Sequence, residues 1–238
     1  MSELQITVSE RARIAASLAA SLRAKALLLS PNDPTREALN FVKKWQAQRL
    51  ARTHADFLAS IRYGDAARFF LNDLYKPQDL TGRDKDLERL LPIMIKLLPE
   101  KALSTIVKAL ELDALSEQLD WAVAEKLKNF HAALTIDDAQ FESLYAQAYC
   151  LNDDVARRAE QRSAVLQIGQ SLEKLVTQPL LGVLLTTMAG PAKVAGLSAM
   201  HEFLMRGFNA FKKMKGAGEF LAQIHFRETQ EDSRLRGL

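Results

Sequence analysis

Pro99 to Phe130 reads PEKALSTIVKALELDALSEQLDWAVAEKLKNF. Leu103, Ile106, Val107 and Leu110 recur at the three- and four-residue intervals of a helix. Leu112, Leu115, Leu119, Val123, Leu127 and Phe130 continue that period on a shifted face. A strand would alternate every second residue, and no stretch of the chain does so convincingly. The class is therefore all-α. The jump between the two stripes predicts a bend near Glu111 to Asp113, and Pro99 suits a first helical turn, where its missing amide costs nothing.

The same period extends in both directions. A first helix is expected from about Val8 to Leu29, ending at Ser30-Pro31-Asn32-Asp33-Pro34. A second carries Leu39, Val42, Leu50, Ala51, Phe57, Leu58 and Ile61 on one side, until Tyr63-Gly64-Asp65 breaks it and a short helix runs to Tyr75. Thr81 with Asp84, and Thr135 with Asp138, have capping-box spacing, and Pro92 should kink or restart its helix. Asn152 is the expected cap of a long helix bearing Val155, Leu166, Leu172 and Val176. Two helices should flank Gly190-Pro191, and a last one comes after Gly216-Ala217-Gly218. The sum is an irregular bundle of about nine or ten helices in one domain, residues 1–238, with no repeat and no long linker.

Composition excludes more than it identifies. Of 238 residues, 48% are hydrophobic and 26% charged, which rules out a wholly disordered or collagenous chain. The single cysteine, Cys150, rules out an internal disulfide framework and a Cys-rich zinc site, and an inert half-buried thiol is expected. The net charge of +3 conceals segments of +5 (1–62), −6 (63–160) and +4 (161–238), so the basic ends are expected to pack on the acidic middle. Arg11, Arg13, Arg23 and Lys25 interrupt the amphipathic start, which lacks a secretory-type apolar run, and a cytoplasmic location is the default. Val176 to Ala192 carries no charge but falls short of the roughly 20 apolar residues a membrane span needs. Val176 to Met200 is expected to be buried or to form a dimer contact.

Chemical motifs are sparse. Di-iron bundles need Glu-x-x-His, yet Ala51, Lys128, Ser198 and Ala222 stand three residues before His54, His131, His201 and His225. His225 and Glu228 have only the reverse spacing, and His201 lies on an apolar stripe, where a hydrogen-bonded core histidine is expected. No phosphate-binding glycine loop, dinucleotide fingerprint or nucleophile elbow occurs. No pattern for nucleic-acid binding is found either. No catalytic motif, cofactor or metal is assigned.

The densest segment is Arg62 to Tyr75, RYGDAARFFLNDLY, which packs two apolar stripes among Arg62, Asp65, Arg68 and Asp73, with Arg83 just beyond. Structural ion pairs are one reading, and a polar pocket beside an aromatic wall is the other. Glu228 continues the apolar spacing of Leu221 and Ile224, so a buried carboxylate is expected there. It needs a basic partner from another helix, with Arg62, Arg68 and Arg83 as candidates. The candidate binding residues are Arg62, Arg68, Phe69, Asp73, Tyr75, Arg83, Arg227 and Glu228.

Phe69 to Tyr75, FFLNDLY, resembles the signature of an uncharacterised bacterial family named for its FFLEELY motif, with Asn72 and Asp73 at its two glutamates. The helical character and the closing Arg227-Glu228 are similar too. The resemblance implies the fold and compartment, and it brings no activity.

Two function classes are compatible with these residues. A non-catalytic interaction or scaffold protein that self-associates predicts an exposed apolar patch around residues 179–200 and no deep polar pocket. A small-molecule or lipid-binding bundle, with or without an enzymatic activity, predicts a cavity of several hundred Å3 lined by Phe69, Phe70, Tyr75, Phe208 and Phe211. Its ligand would be small and apolar or anionic.

Overall fold

The computed structural model describes Arg13, Ala16 and residues 35–75, 99–128, 138–194, 196 and 198–237. Apart from Arg13 and Ala16, which are helical, the expected first helix lies outside the described residues, as do Arg83, the Thr81–Asp84 cap, Pro92 and Thr135. The described segments are α1 (Thr35–Thr53), α2 (Ala55–Ala59), α3 (Gly64–Phe69), a π-helical turn (Phe70–Leu74), α4 (Glu100–Leu127) and α5 (Asp138–Leu151). Next come α6 (Val155–Val176), α7 (Pro179–Thr187), α8 (Ala189–Val194), α9 (Ser198–Met214) and α10 (Gly218–Leu235). No strand occurs among them. The all-α bundle is as expected.

Helix α4 is the axis. It packs against α1, α5 and α6, and α6 packs in turn against α9 and α10. The bend expected near Glu111 to Asp113 is absent as a break, because α4 runs unbroken through Leu127. Its stripe shifts because its two halves have different partners. Leu103, Val107 and Leu110 pack with Leu175, Leu181 and Leu185. Val123, Ala124 and Leu127 pack with Leu39, Val42, Trp45 and Tyr145. A helix with neighbours on several sides is apolar on several sides. A third core joins Phe57, Tyr63 and Phe69 to Phe211, Met214, Phe220 and Leu221.

Several local expectations are corrected. The break after α2 spans Ser60 to Tyr63, so of the expected Tyr63-Gly64-Asp65 only Tyr63 lies in it and α3 opens at Gly64. Ser60 is extended (φ −72°, ψ 133°), and its hydroxyl accepts the Arg62 and Tyr63 amides. Ile61 therefore leaves the stripe and is 90% exposed. Asn152 closes α5 instead of opening α6, its side-chain amide donating to the Ala148 carbonyl. Asp153 turns the chain there in the left-handed region (φ 45°), a conformation that Asp tolerates better than most residues. The break between α7 and α8 falls at Met188, which leaves Gly190 and Pro191 inside α8. Cys150 is exposed, not half-buried.

Both basic ends meet the acidic middle through Lys43–Glu117, Arg206–Asp73, Lys213–Asp65 and Arg234–Glu142. The ends also pair with each other, through Arg49–Glu228 and Arg227–Asp56. No single helix among the described residues is long and apolar enough to cross a membrane. Together α6 and α7–α8 pass by length and composition only as a pair bent by 84°.

Candidate functional site

Where the three cores meet, the described helices leave a space between them. This cavity of about 450 Å3 is lined by residues of α1 to α7, α9 and α10 and of the FFLNDLY segment. One part of its wall is apolar, including Ile106, Leu172, Leu181, Leu185, Leu204 and Phe208. Another is polar, built by side chains far apart in sequence.

The polar wall starts from two helix faces. On α1, Lys43, Gln46 and Arg49 recur at three-residue spacing. On α4, Glu117 and Asp120 do the same. Spacing of this kind places side chains on one helix face, and here the two faces oppose each other. Lys43 pairs with Glu117. The Gln46 side-chain amide donates to the Tyr145 hydroxyl at 2.6 Å and lies 3.4 Å from Asp120. Arg49 donates to the Gln46 side-chain carbonyl at 3.1 Å and to both oxygens of Glu228, at 2.7 and 2.8 Å. His54 Nε2 completes the chain, 2.9 Å from Glu228.

The segment Phe69 to Tyr75 joins this network through the Tyr75 side chain, which its backbone positions. The Tyr75 amide reaches back five residues to the Phe70 carbonyl at 2.8 Å. Such a π turn inserts one residue into the helical repeat and rotates the residues after it, and π turns are frequent at functional sites. Tyr75 thereby reaches α4, and its hydroxyl donates to Asp120 Oδ2 at 2.9 Å. Phe69 packs towards α9, where a Cβ on Gly207 would stand 2.7 Å from its ring.

Burial sets the electrostatics. Asp120 and Glu117 are 2% and 4% exposed. Burial pushes the Asp120 carboxyl up, against the opposing charges of Arg158 and Lys43. Burial likewise pushes the Tyr75 hydroxyl well above its ordinary value and the Tyr149 hydroxyl to about 12. Glu228 goes the other way: burial raises it, but the hydrogen bonds and charges of His54 and Arg49 outweigh this and hold it low. Four buried polar atoms of lining residues have no hydrogen-bond partner among the described residues: Arg49 Nε, His54 Nδ1, Glu117 Oε1 and His225 Nδ1.

Of the residues singled out from sequence, Phe69, Phe70, Tyr75, Phe208 and Glu228 line the cavity. Others hold the scaffold. Arg62 donates to the Met214 and Gly216 carbonyls at the end of α9, a usual role for a basic side chain at a helix C-terminus. Arg68 binds Asp65 and the Leu58 carbonyl. Asp73 accepts from Arg206, and Arg227 grips Asp56 through two nitrogens. Glu228 is paired as expected of a buried carboxylate, but by Arg49, not by Arg62 or Arg68. Phe211 packs on Phe70 in the third core. His201 Nε2 lies 2.7 Å from the Leu185 carbonyl, which can only accept, so Nε2 is the donor.

Sequence reasoning missed Lys43, Gln46, Arg49, Glu117, Asp120 and Arg158. A signal did exist: Gln46 continues the buried Leu39–Val42 spacing, and Glu117 and Asp120 interrupt the apolar face of α4 between Ala114 and Ala124. Among the described residues, no group of three or more His, Cys, Asp or Glu side chains converges as a metal site.

A sequence model for a domain of unknown function, DUF8198, matches residues 29–236. The chain belongs to that family. The match takes in Phe69 to Tyr75, every described helix that lines the cavity and both faces of the polar wall. Membership agrees with the expectation of an uncharacterised family. No curated protein and no solved structure matches the chain.

Proposed function

We propose that this member of DUF8198 is a single-domain binding protein for a small molecule with an apolar body, and that FFLNDLY is its form of the FFLEELY motif. The observation that carries the reading is the cavity of about 450 Å3, which has one apolar and one hydrogen-bonding wall. Ligand sites are commonly concave and mostly apolar, with a few placed polar groups. Close packing leaves few voids larger than a water molecule in an ordinary core, so a space of this size calls for an occupant. The scaffold reading, which stands first from the sequence, predicts no deep polar pocket and loses ground for that reason; the small-molecule-binding bundle is its alternative.

Native mass spectrometry of the purified protein, compared with its denatured mass, tests the reading. A bound mass lost on denaturation is expected. The same protein should take up the apolar dye nile red, and Ile106→Trp, which places an indole in the apolar wall, should abolish uptake. Uptake unchanged by Ile106→Trp would remove the proposal.

Self-association is the second reading, supported by the outer face of α7 and α8. Leu180, Val183 and Val194 are 81%, 61% and 91% exposed, in a stretch whose inner face, Leu181 and Leu185, is buried. Light scattering across a concentration series tests it, and a mass that stays monomeric throughout rejects it.

A further inference from the structure

The cavity contains a carboxylate that no described residue neutralises by contact. Asp120 is buried, and its oxygens meet two neutral donors, the Tyr75 hydroxyl and the Gln46 amide. Arg158 and Lys43 act on it only at longer range. The Arg158 guanidinium donates to the Leu119 carbonyl and lies 4.6 Å over the ring of Tyr149. One helical turn away, Glu117 gives one oxygen to Lys43, while Oε1 is buried with no partner among the described residues. Both residues line the cavity. Buried carboxylates without a contacting cation are costly, and a lone buried acceptor forfeits the hydrogen bonds it had in water. Both costs fall on the same face of α4, and one ligand group offsets both: a protonated nitrogen, which donates up to three hydrogen bonds and carries the opposite charge.

We propose that the polar wall receives the cationic nitrogen of an aliphatic amine, held by Glu117 and Asp120, with its hydrocarbon chain against the apolar wall. This inference rests on the cavity being a ligand site and specifies the class of ligand. It also turns the expectation of an anionic ligand around, since a carboxylate head group would face Glu117 and Asp120 with like charge.

A matched series of decylamine, decanol and decanoate, titrated calorimetrically into the full chain at neutral pH below their aggregation concentrations, separates the cases. Decylamine is expected to bind at least about tenfold more tightly than decanol, with decanoate weakest. Glu117→Gln and Asp120→Asn, which keep side-chain shape, should each reduce the preference for amine over alcohol, with decylamine losing more affinity than decanol. Equal binding of amine and alcohol, or a preference that survives both substitutions, overturns the amine assignment and leaves the cavity reading standing. If nile red and all three ligands fail to bind, the cavity reading falls and the assignment with it. Circular dichroism of each variant separates lost binding from lost fold.

Discussion

Arg49 Nη1 donates to both carboxylate oxygens of Glu228, at 2.7 and 2.8 Å, and so ties α1 to α10 across 179 residues of chain. The side chains are 12% and 19% exposed, so both charges are largely removed from water. Pairs of this kind give little net stability as pairs. Removing one partner is costly, because a buried charge is left behind. The same contact fixes one rim of the cavity, since Arg49 also holds Gln46 and Glu228 also holds His54.

Arg49→Met is therefore expected to destabilise the protein by about 3 kcal/mol in urea denaturation. Double replacement with Glu228→Gln should recover part of that loss, since the orphaned charge goes too. A double mutant as unstable as the sum of the single changes would show that the two residues do not act as a pair.

Acid should act through the carboxyls that the fold holds low. Asp56 is lowered to about 2, first by its hydrogen bond from Arg227, and Glu228 is also lowered. For such groups the stabilising contribution is complete above the unfolded-state value, near 4 for a carboxyl, and is lost as pH falls through the folded value. Stability should decline between about pH 4 and pH 2. Glu228→Gln should flatten that acid limb more than Asp56→Asn, because the Asp56 side chain is 58% exposed and its pair is screened by solvent. Melting temperature against pH is the measurement.

Tyr75→Phe keeps the ring and deletes the hydroxyl that donates to Asp120. A cost of about 1–3 kcal/mol is expected, the range for depriving a buried acceptor of its donor. Tyr75→Phe with Asp120→Asn should not be additive, because both changes remove one hydrogen bond. Chemical denaturation of the two single variants and the double variant measures the coupling.

Gly207→Ala should be unfavourable for a packing reason. The added methyl would stand 2.7 Å from the Phe69 ring, which is buried between α3 and α9. A loss of about 1–3 kcal/mol is expected in the same denaturation measurement, the usual range for overpacking. Gly190→Ala, where a Cβ meets nothing within 4 Å, should be close to neutral and serves as the control.

Exposed residues of α7 should be dispensable to the fold. Leu180→Glu with Val183→Glu should change melting temperature little, since both side chains are exposed. Any concentration-dependent mass seen for the parent protein should vanish in that variant. A dimer that persists would place the contact elsewhere.

The helical class and most of the helices are written locally in the chain. The three- and four-residue recurrence of Leu103 to Leu110 and of Leu119 to Leu127 is readable without knowing any neighbour. The same recurrence makes Glu228 a buried carboxylate in need of a base. It does not identify that base, nor decide whether the shift of stripe near Glu111 means a bend or a change of partner. Arg49 and Asp120 share no local pattern with Glu228 and Tyr75. They are brought together because the Arg49 side chain reaches from α1 to Glu228 on α10, because α1 packs beside α4, and because a π turn at Phe70–Leu74 aims Tyr75 at Asp120. Periodicity shows which residues face inward. Which inward-facing residues meet, and whether they close up or leave a space between them, depends on how long helices cross, and that is settled by packing in three dimensions.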